Sequence, residues 1–155
     1  TDKGKNISAL VYISTAEVVS IVKKEGAFNG IDFVDFLDDL IHIRPSLVQG
    51  GSTLVMDNAK IHHALIVKRF LEDKNVSHMF LPPYSPELNP IELFFGTVKA
   101  SNRKNGPAGT KTELMKRIEE TFQRVGEEVD MNRYYEHMRQ FVTKAMNREQ
   151  FFFTN

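Results

Sequence analysis

The sequence predicts an α/β fold containing a short parallel sheet, and three observations carry that prediction. Two apolar runs rich in strand-forming residues, 53–56 (Thr-Leu-Val-Met) and 76–81 (Val-Ser-His-Met-Phe-Leu), have strand length. Between and after them apolar residues recur at helical spacing, so the chain alternates β-α-β-α-β-α, the pattern of strands joined by helical crossovers. The 155 residues are 41% hydrophobic and include 12 Phe, enough for the core of one domain.

The elements follow in order. Residues 5–13 and 17–23, joined by Ser14-Thr15-Ala16, read as a β-hairpin. Gly26 and Gly30 bracket a turn, after which Ile31, Phe33, Phe36, Leu37, Leu40 and Ile41 mark a helix up to Arg44-Pro45. Asp32, Asp35, Asp38 and Asp39 fall on its other side as a solvated face. Pro45 and Gly50-Gly51 make a loop into the strand that ends at Asp57. Leu65, Ile66, Phe70 and Leu71 indicate a helix over about 60–73, with His62 and His63 in its first turn.

Strand 76–81 runs into the rigid turn Pro82-Pro83-Tyr84-Ser85-Pro86. Asn89-Pro90-Ile91-Glu92 then starts a helix, with Asn89 as cap, Pro90 first and Glu92 third, as in a capping box. Residues 105–109 break the chain, Thr110 with Glu113 caps a helix to about Val125, and a last helix after Asp130 carries Tyr134, Met138, Phe141 and Met146. The terminal Phe151-Phe152-Phe153 is expected to pack on the body. The expected organisation is one domain, with a core over 1–104 and a C-terminal helical extension over 105–155.

Formal net charge is zero, but residues 1–92 carry 9 basic and 12 acidic side chains and residues 93–155 carry 11 and 8, giving −3 and +3. No acid lies between Glu92 and Glu113, while Lys99, Arg103, Lys104 and Lys111 do. Such a patch suits a phosphate backbone, and it also suits an ordinary solvated face. The absence of Cys excludes disulfides and thiolate metal sites. No run approaches membrane-spanning length and no signal-peptide pattern opens the chain, so a soluble protein with no membrane partner is expected.

Two carboxylates stand apart from the rest. Asp57 belongs at the carboxyl end of a strand, the edge where open α/β sheets keep their sites, and Glu92 follows after 34 intervening residues. Each also has a local reading as a helix cap. Asp57-Asn58-Ala59 with His62, followed by the twelve residues Leu81-Pro82-Pro83-Tyr84-Ser85-Pro86-Glu87-Leu88-Asn89-Pro90-Ile91-Glu92, resembles the second and third catalytic positions of the DDE transposases of the mariner superfamily, in the branch whose third acid is Glu. Weaker likeness extends upstream through residues 25–30 and fades after about Arg103.

The resemblance implies a ribonuclease-H-like mixed sheet flanked by helices, and metal-dependent DNA cleavage and strand transfer in cut-and-paste transposition. Asp57 and Glu92 would ligate Mg²⁺ or Mn²⁺, hard cations that take oxygen ligands, in a two-metal site. Asn58, His62, Lys99, Arg103 and Lys104 would face nucleic acid. The implied partner is double-stranded DNA, as transposon ends and target, with a homodimer for the full protein. The location would be nuclear in a eukaryote and cytoplasmic otherwise.

The family's first acid sits on a central strand before the hairpin, and Asp2 is not placed on such a strand. The expectation is therefore a catalytic-core fragment, inactive by itself, with four strands in two pairs and an open slot between them. The alternative is a decayed or domesticated derivative that binds DNA or protein without catalysis.

Overall fold

The hairpin forms as the alternation of apolar residues requires. β1 (Ile7–Ile13) and β2 (Val18–Glu25) pair antiparallel from Ile7↔Glu25 to Ile13↔Val18, with a bulge after Tyr12. Successive side chains of a strand point to opposite faces, so Ala9, Val11 and Ile13 join one core while Leu10 and Tyr12 join another. This computed structural model describes residues 7–83 and 89–146, excepting the side chains of 141–146. Asp2, Lys5, the turn residues 84–88, the side chains of Phe141 and Met146, and the terminal Phe151-Phe152-Phe153 lie outside it.

The first core is built by α1 (Gly30–Ile43), whose Phe33, Phe36, Leu37 and Leu40 are buried. Asn29 caps the helix in a reciprocal box: its Oδ1 accepts from the Asp32 N–H at 2.9 Å, and the Asp32 carboxylate accepts from the Asn29 N–H at 2.9 Å. Lys24 of β2 donates to the same carboxylate at 2.7 Å. That hydrogen bond, then the one from Asn29, holds the Asp32 carboxyl below its usual range. Asp32 is thus a tie between hairpin and helix, not part of a plain solvated face. Within the expected loop after Pro45 there is a short helix, α2 (Ser46–Gln49), because the fully buried Leu47 has to reach this core.

β3 (Leu54–Met56) pairs parallel with β4 (His78–Phe80), Leu54 opposite His78 and Met56 opposite Phe80. The parallel half-sheet is as expected, although β3 is covered on one face only. Leu54 and Met56 are buried and Val55 and Met79 are exposed. The helix expected over 60–73 is broken in two, a 3-10 turn (Lys60–His63) and α3 (Leu65–Asp73), by the extended Ala64 at φ −58°, ψ 142°. Tertiary packing accounts for the break: a Cβ on Gly30 would stand 3.0 Å from both Ala64 Cβ and Ile66 Cγ2, so the start of α1 is seated on that bend.

The second core lies on the other side of the hairpin. α4 (Pro90–Arg103), α5 (Lys111–Glu128) and α6 (Asn132–Met146) supply Phe94, Val98, Phe122, Val125 and Tyr134 to it. Thr110 caps α5 by accepting from the Glu113 N–H at 3.1 Å, while the Glu113 carboxylate takes the Gly109 N–H at 2.9 Å. Gly126, in the last turn of α5, lets the helix sit on β2, since a Cβ there would meet Val18 Cγ2 at 2.6 Å. Val is stiff at χ1. Gly126→Ala should therefore destabilise by about 1–3 kcal/mol through overpacking, against a helix-propensity gain of about 1 kcal/mol. Denaturant unfolding measures the balance, and a stabilised variant would show that the contact is soft.

Among the described residues the four strands form two separate two-stranded sheets, β1-β2 and β3-β4, as expected. Between them lies a cavity of about 440 Å³. Six successive residues of each flank line it, 9–14 along β1 and 52–57 along β3. Side chains alternate, so two unbroken runs can line one space only by presenting their backbone edges to it. Phe33, Phe36 and Leu37 of α1 bound the slot, as do Ile91 and Phe95 of α4.

Candidate active site

Asp57 follows the last residue of β3 and is half-buried. Its Oδ1 accepts from the Ala59 N–H at 2.9 Å and lies 2.9 Å from His62 Nδ1, which is also 3.1 Å from the Asp57 carbonyl. Both partners of that nitrogen only accept, so Nδ1 carries the proton. The imidazole lies against Phe33, ring centroids 4.7 Å apart. The 3-10 turn thereby folds His62 back onto the acid it follows in sequence.

Glu92 sits in the first turn of α4 and is exposed. Asn89 caps this helix as expected, Oδ1 accepting from the Ile91 N–H at 3.3 Å, but the reciprocal half of a capping box is missing. Among the described residues the Glu92 carboxylate has neither hydrogen bond nor ion pair, in contrast to the capping carboxylate of Asp32. Asp57, His62 and Glu92 line the same cavity, the slot between the sheets. Two oxygen donor groups from separate elements suit a hard divalent cation. Among the described residues no cluster of three or more His, Cys, Asp or Glu is assembled.

The remaining sequence candidates divide. Asn58 is exposed, yet its amide is engaged by the protein, Nδ2 donating to the Leu81 carbonyl at 2.6 Å and Oδ1 accepting from His63 Nε2 at 2.9 Å. Lys99, Arg103 and Lys104 are exposed, and among the described residues none pairs with an acid. Glu92, Gly96, Lys99 and Arg103 recur at intervals of four, three and four, one face of α4. At 1.5 Å per residue, Lys99 lies about 10 Å and Arg103 about 16 Å along the axis from Glu92. Lys111 leaves the group, since it pairs with Glu25 at 2.6 Å. Sequence reading placed His63 in the first turn of its helix but gave it no part in the site; its partners are Asn58, five residues before it, and Phe80 on β4.

Tyr12 and Tyr135 also line the slot. Burial, then the neighbouring Tyr12, pushes the Tyr135 hydroxyl up to about 12, and burial raises Tyr12 as well. Tyr135 donates to the Ile13 carbonyl at 3.2 Å, fastening α6 to the end of β1.

Comparison with known proteins sets this site in a family. Residues 1–115 match the DDE superfamily endonuclease family. Solved structures agree in fold: the Mos1 transposase catalytic domain with Raltegravir and Mn superposes with a TM-score of 0.74 at 18% identity, covering 96% of this chain and 78% of that one. The Mos1 mariner paired end complex with Mn gives 0.76 at 16%, covering 99% and 47%, and the Mos1 strand transfer complex 0.74 at 19%, covering 99% and 46%. This chain thus spans about half the length of the transposase in those complexes. Comparison with curated proteins found no match in sequence. Among the described residues no helix is long and apolar enough to cross a membrane. With the family matched over most of its length and the ribonuclease-H-like fold of the mariner catalytic domain, this chain belongs to the DDE superfamily endonucleases.

Proposed function

We propose that Asp57 and Glu92 are two of the three carboxylates of a metal-dependent site for DNA cleavage and strand transfer in cut-and-paste transposition. The observation that carries this reading is the convergence of both acids on one cavity, with the Glu92 carboxylate not taken up by its own helix cap. The ions implied are Mg²⁺ or Mn²⁺, which when bound would stabilise charge on the attacking and leaving oxygens of an in-line displacement. Asp57 is held at the strand end by His62 and the Ala59 N–H. The face of α4 that bears Glu92 continues through Lys99 and Arg103, so a phosphate backbone lying along the helix would meet cations on one side and the acids at its end. Double-stranded DNA is the proposed partner, and a homodimer the proposed state of a full protein that pairs two transposon ends.

With two of three carboxylates, residues 1–155 alone are expected not to nick DNA in Mg²⁺ or Mn²⁺, while binding it weakly. Log affinity should fall linearly with log salt, with a slope near −0.9 per phosphate contact, and Lys99→Ala with Arg103→Ala should flatten it by about two contacts. An affinity indifferent to salt would remove the basic face from the proposal. Nicking by the clean polypeptide, abolished by Glu92→Gln, would show that the two acids suffice. DNA binding untouched by loss of either acid, in a full-length protein that never cleaves, would favour a derivative that only binds.

A further inference from the structure

The chain leaving β4 runs out of its own means of pairing at the point where the site begins. The β3-β4 register ends at Met56↔Phe80, and the Leu81 N–H still donates to the Met56 carbonyl at 2.9 Å. Pro82 and Pro83 then have no N–H to offer, so the ladder stops. The Leu81 carbonyl is taken instead by a side chain, Asn58 Nδ2 at 2.6 Å. Because a carbonyl only accepts, this contact also settles which way the amide faces, and Oδ1 is left to His63 Nε2 at 2.9 Å. His63 is itself stacked on Phe80, ring centroids 4.2 Å apart at 22°. The contacts close a ring: Asn58 to Leu81, Phe80 to His63, His63 to Asn58. Adjacent histidines divide the work, His62 on Asp57 and His63 on Asn58.

We infer that Asn58 and His63 are positioning residues, a latch that fixes the direction of the Asp57 carboxylate by tying its loop to the end of β4. The inference rests on the reading of Asp57 as a metal ligand. β3 is only three residues long, and among the described residues Asn58 has no other tie to the end of the neighbouring strand. Partners one step removed from a metal are typically worth 10–100-fold in affinity. Each polar atom of the Asn58 amide, Nδ2 and Oδ1, already has a partner within the protein.

The test uses the 155-residue chain, with Mn²⁺ affinity read from the electron paramagnetic resonance of the free ion and DNA affinity from fluorescence anisotropy. Asn58→Ala and His63→Phe should each weaken Mn²⁺ binding by about 10-fold and leave DNA affinity unchanged. His63→Phe keeps the stacking and loses the donor, whereas His63→Gln restores a donor near the Nε2 position and should return affinity close to the parent value. A merely structural role would not separate those two variants. Parent-like Mn²⁺ affinity in His63→Phe, or loss of DNA affinity alone in Asn58→Ala, would overturn the latch.

If the parent chain shows no Mn²⁺ binding sensitive to Asp57→Asn, it is the metal reading that fails. The latch is then judged without metal, by nitrogen-15 NMR. Exchange of the Asn58 side-chain amide protons should be slow in the parent and His63→Gln and fast in His63→Phe, and equal exchange in all three would sink it.

Discussion

Phe94→Ala lowers the stability of this protein by about 3–5 kcal/mol, the cost of deleting a large buried aromatic side chain together with the cavity it leaves. Phe94 is completely buried, its ring 5.6 Å from Phe122 and 6.2 Å from Tyr134, so one side chain joins α4 to both C-terminal helices. Domains of this size are stable by only about 5–15 kcal/mol, so the loss is a large share of the total. α4 carries Glu92, two residues away on the opposite, exposed side. Glu92→Gln should leave the unfolding midpoint unchanged, which separates the chemical role of the helix from its packing role. Denaturant melts of the two variants make the comparison, and equal midpoints would mean that the second core does not depend on Phe94.

Along β1, amide exchange should alternate, with every second N–H protected and those between exchanging faster by orders of magnitude. In an antiparallel pair, alternate residues direct their N–H toward the partner strand and away from it. Those directed away from β2 meet the slot, where among the described residues no strand receives them, and exchange follows the local cost of exposure. Residue-resolved hydrogen exchange at low protein concentration reads this pattern directly. Uniform protection would mean that the slot is filled, either by collapse or by another chain pairing with the open edges. Dilution tells these apart, since protection that fades with concentration belongs to association.

Much of this was legible in the chain itself because the signals are local. Alternation in residues 7–13 and helical spacing in 30–43 follow from the periods of strand and helix, and Asn89-Pro90 starts a helix for reasons contained in those two side chains. Asp57 at a strand end and Glu92 in a first helical turn were recognisable from their immediate neighbours and the twelve-residue motif. The sequence by itself determined the alternating elements, their approximate limits and where in them Asp57 and Glu92 fall.

Only the tertiary structure decided how those pieces are used. Asp32 has the same spacing from its cap residue as Glu92 has, yet one carboxylate is bound by Asn29 and Lys24 while the other has no partner among the described residues, a difference set in part by what the hairpin brings near. The bend at Ala64 is packed against Gly30, His63 is stacked on Phe80 of β4, and Asn58 reaches the Leu81 carbonyl just beyond that strand. Lys111, a member of the basic window in sequence, is paired away by Glu25 on β2. Hydrogen bonds and close packing depend on separations of a few ångströms between residues far apart in the chain, and no local periodicity encodes such separations.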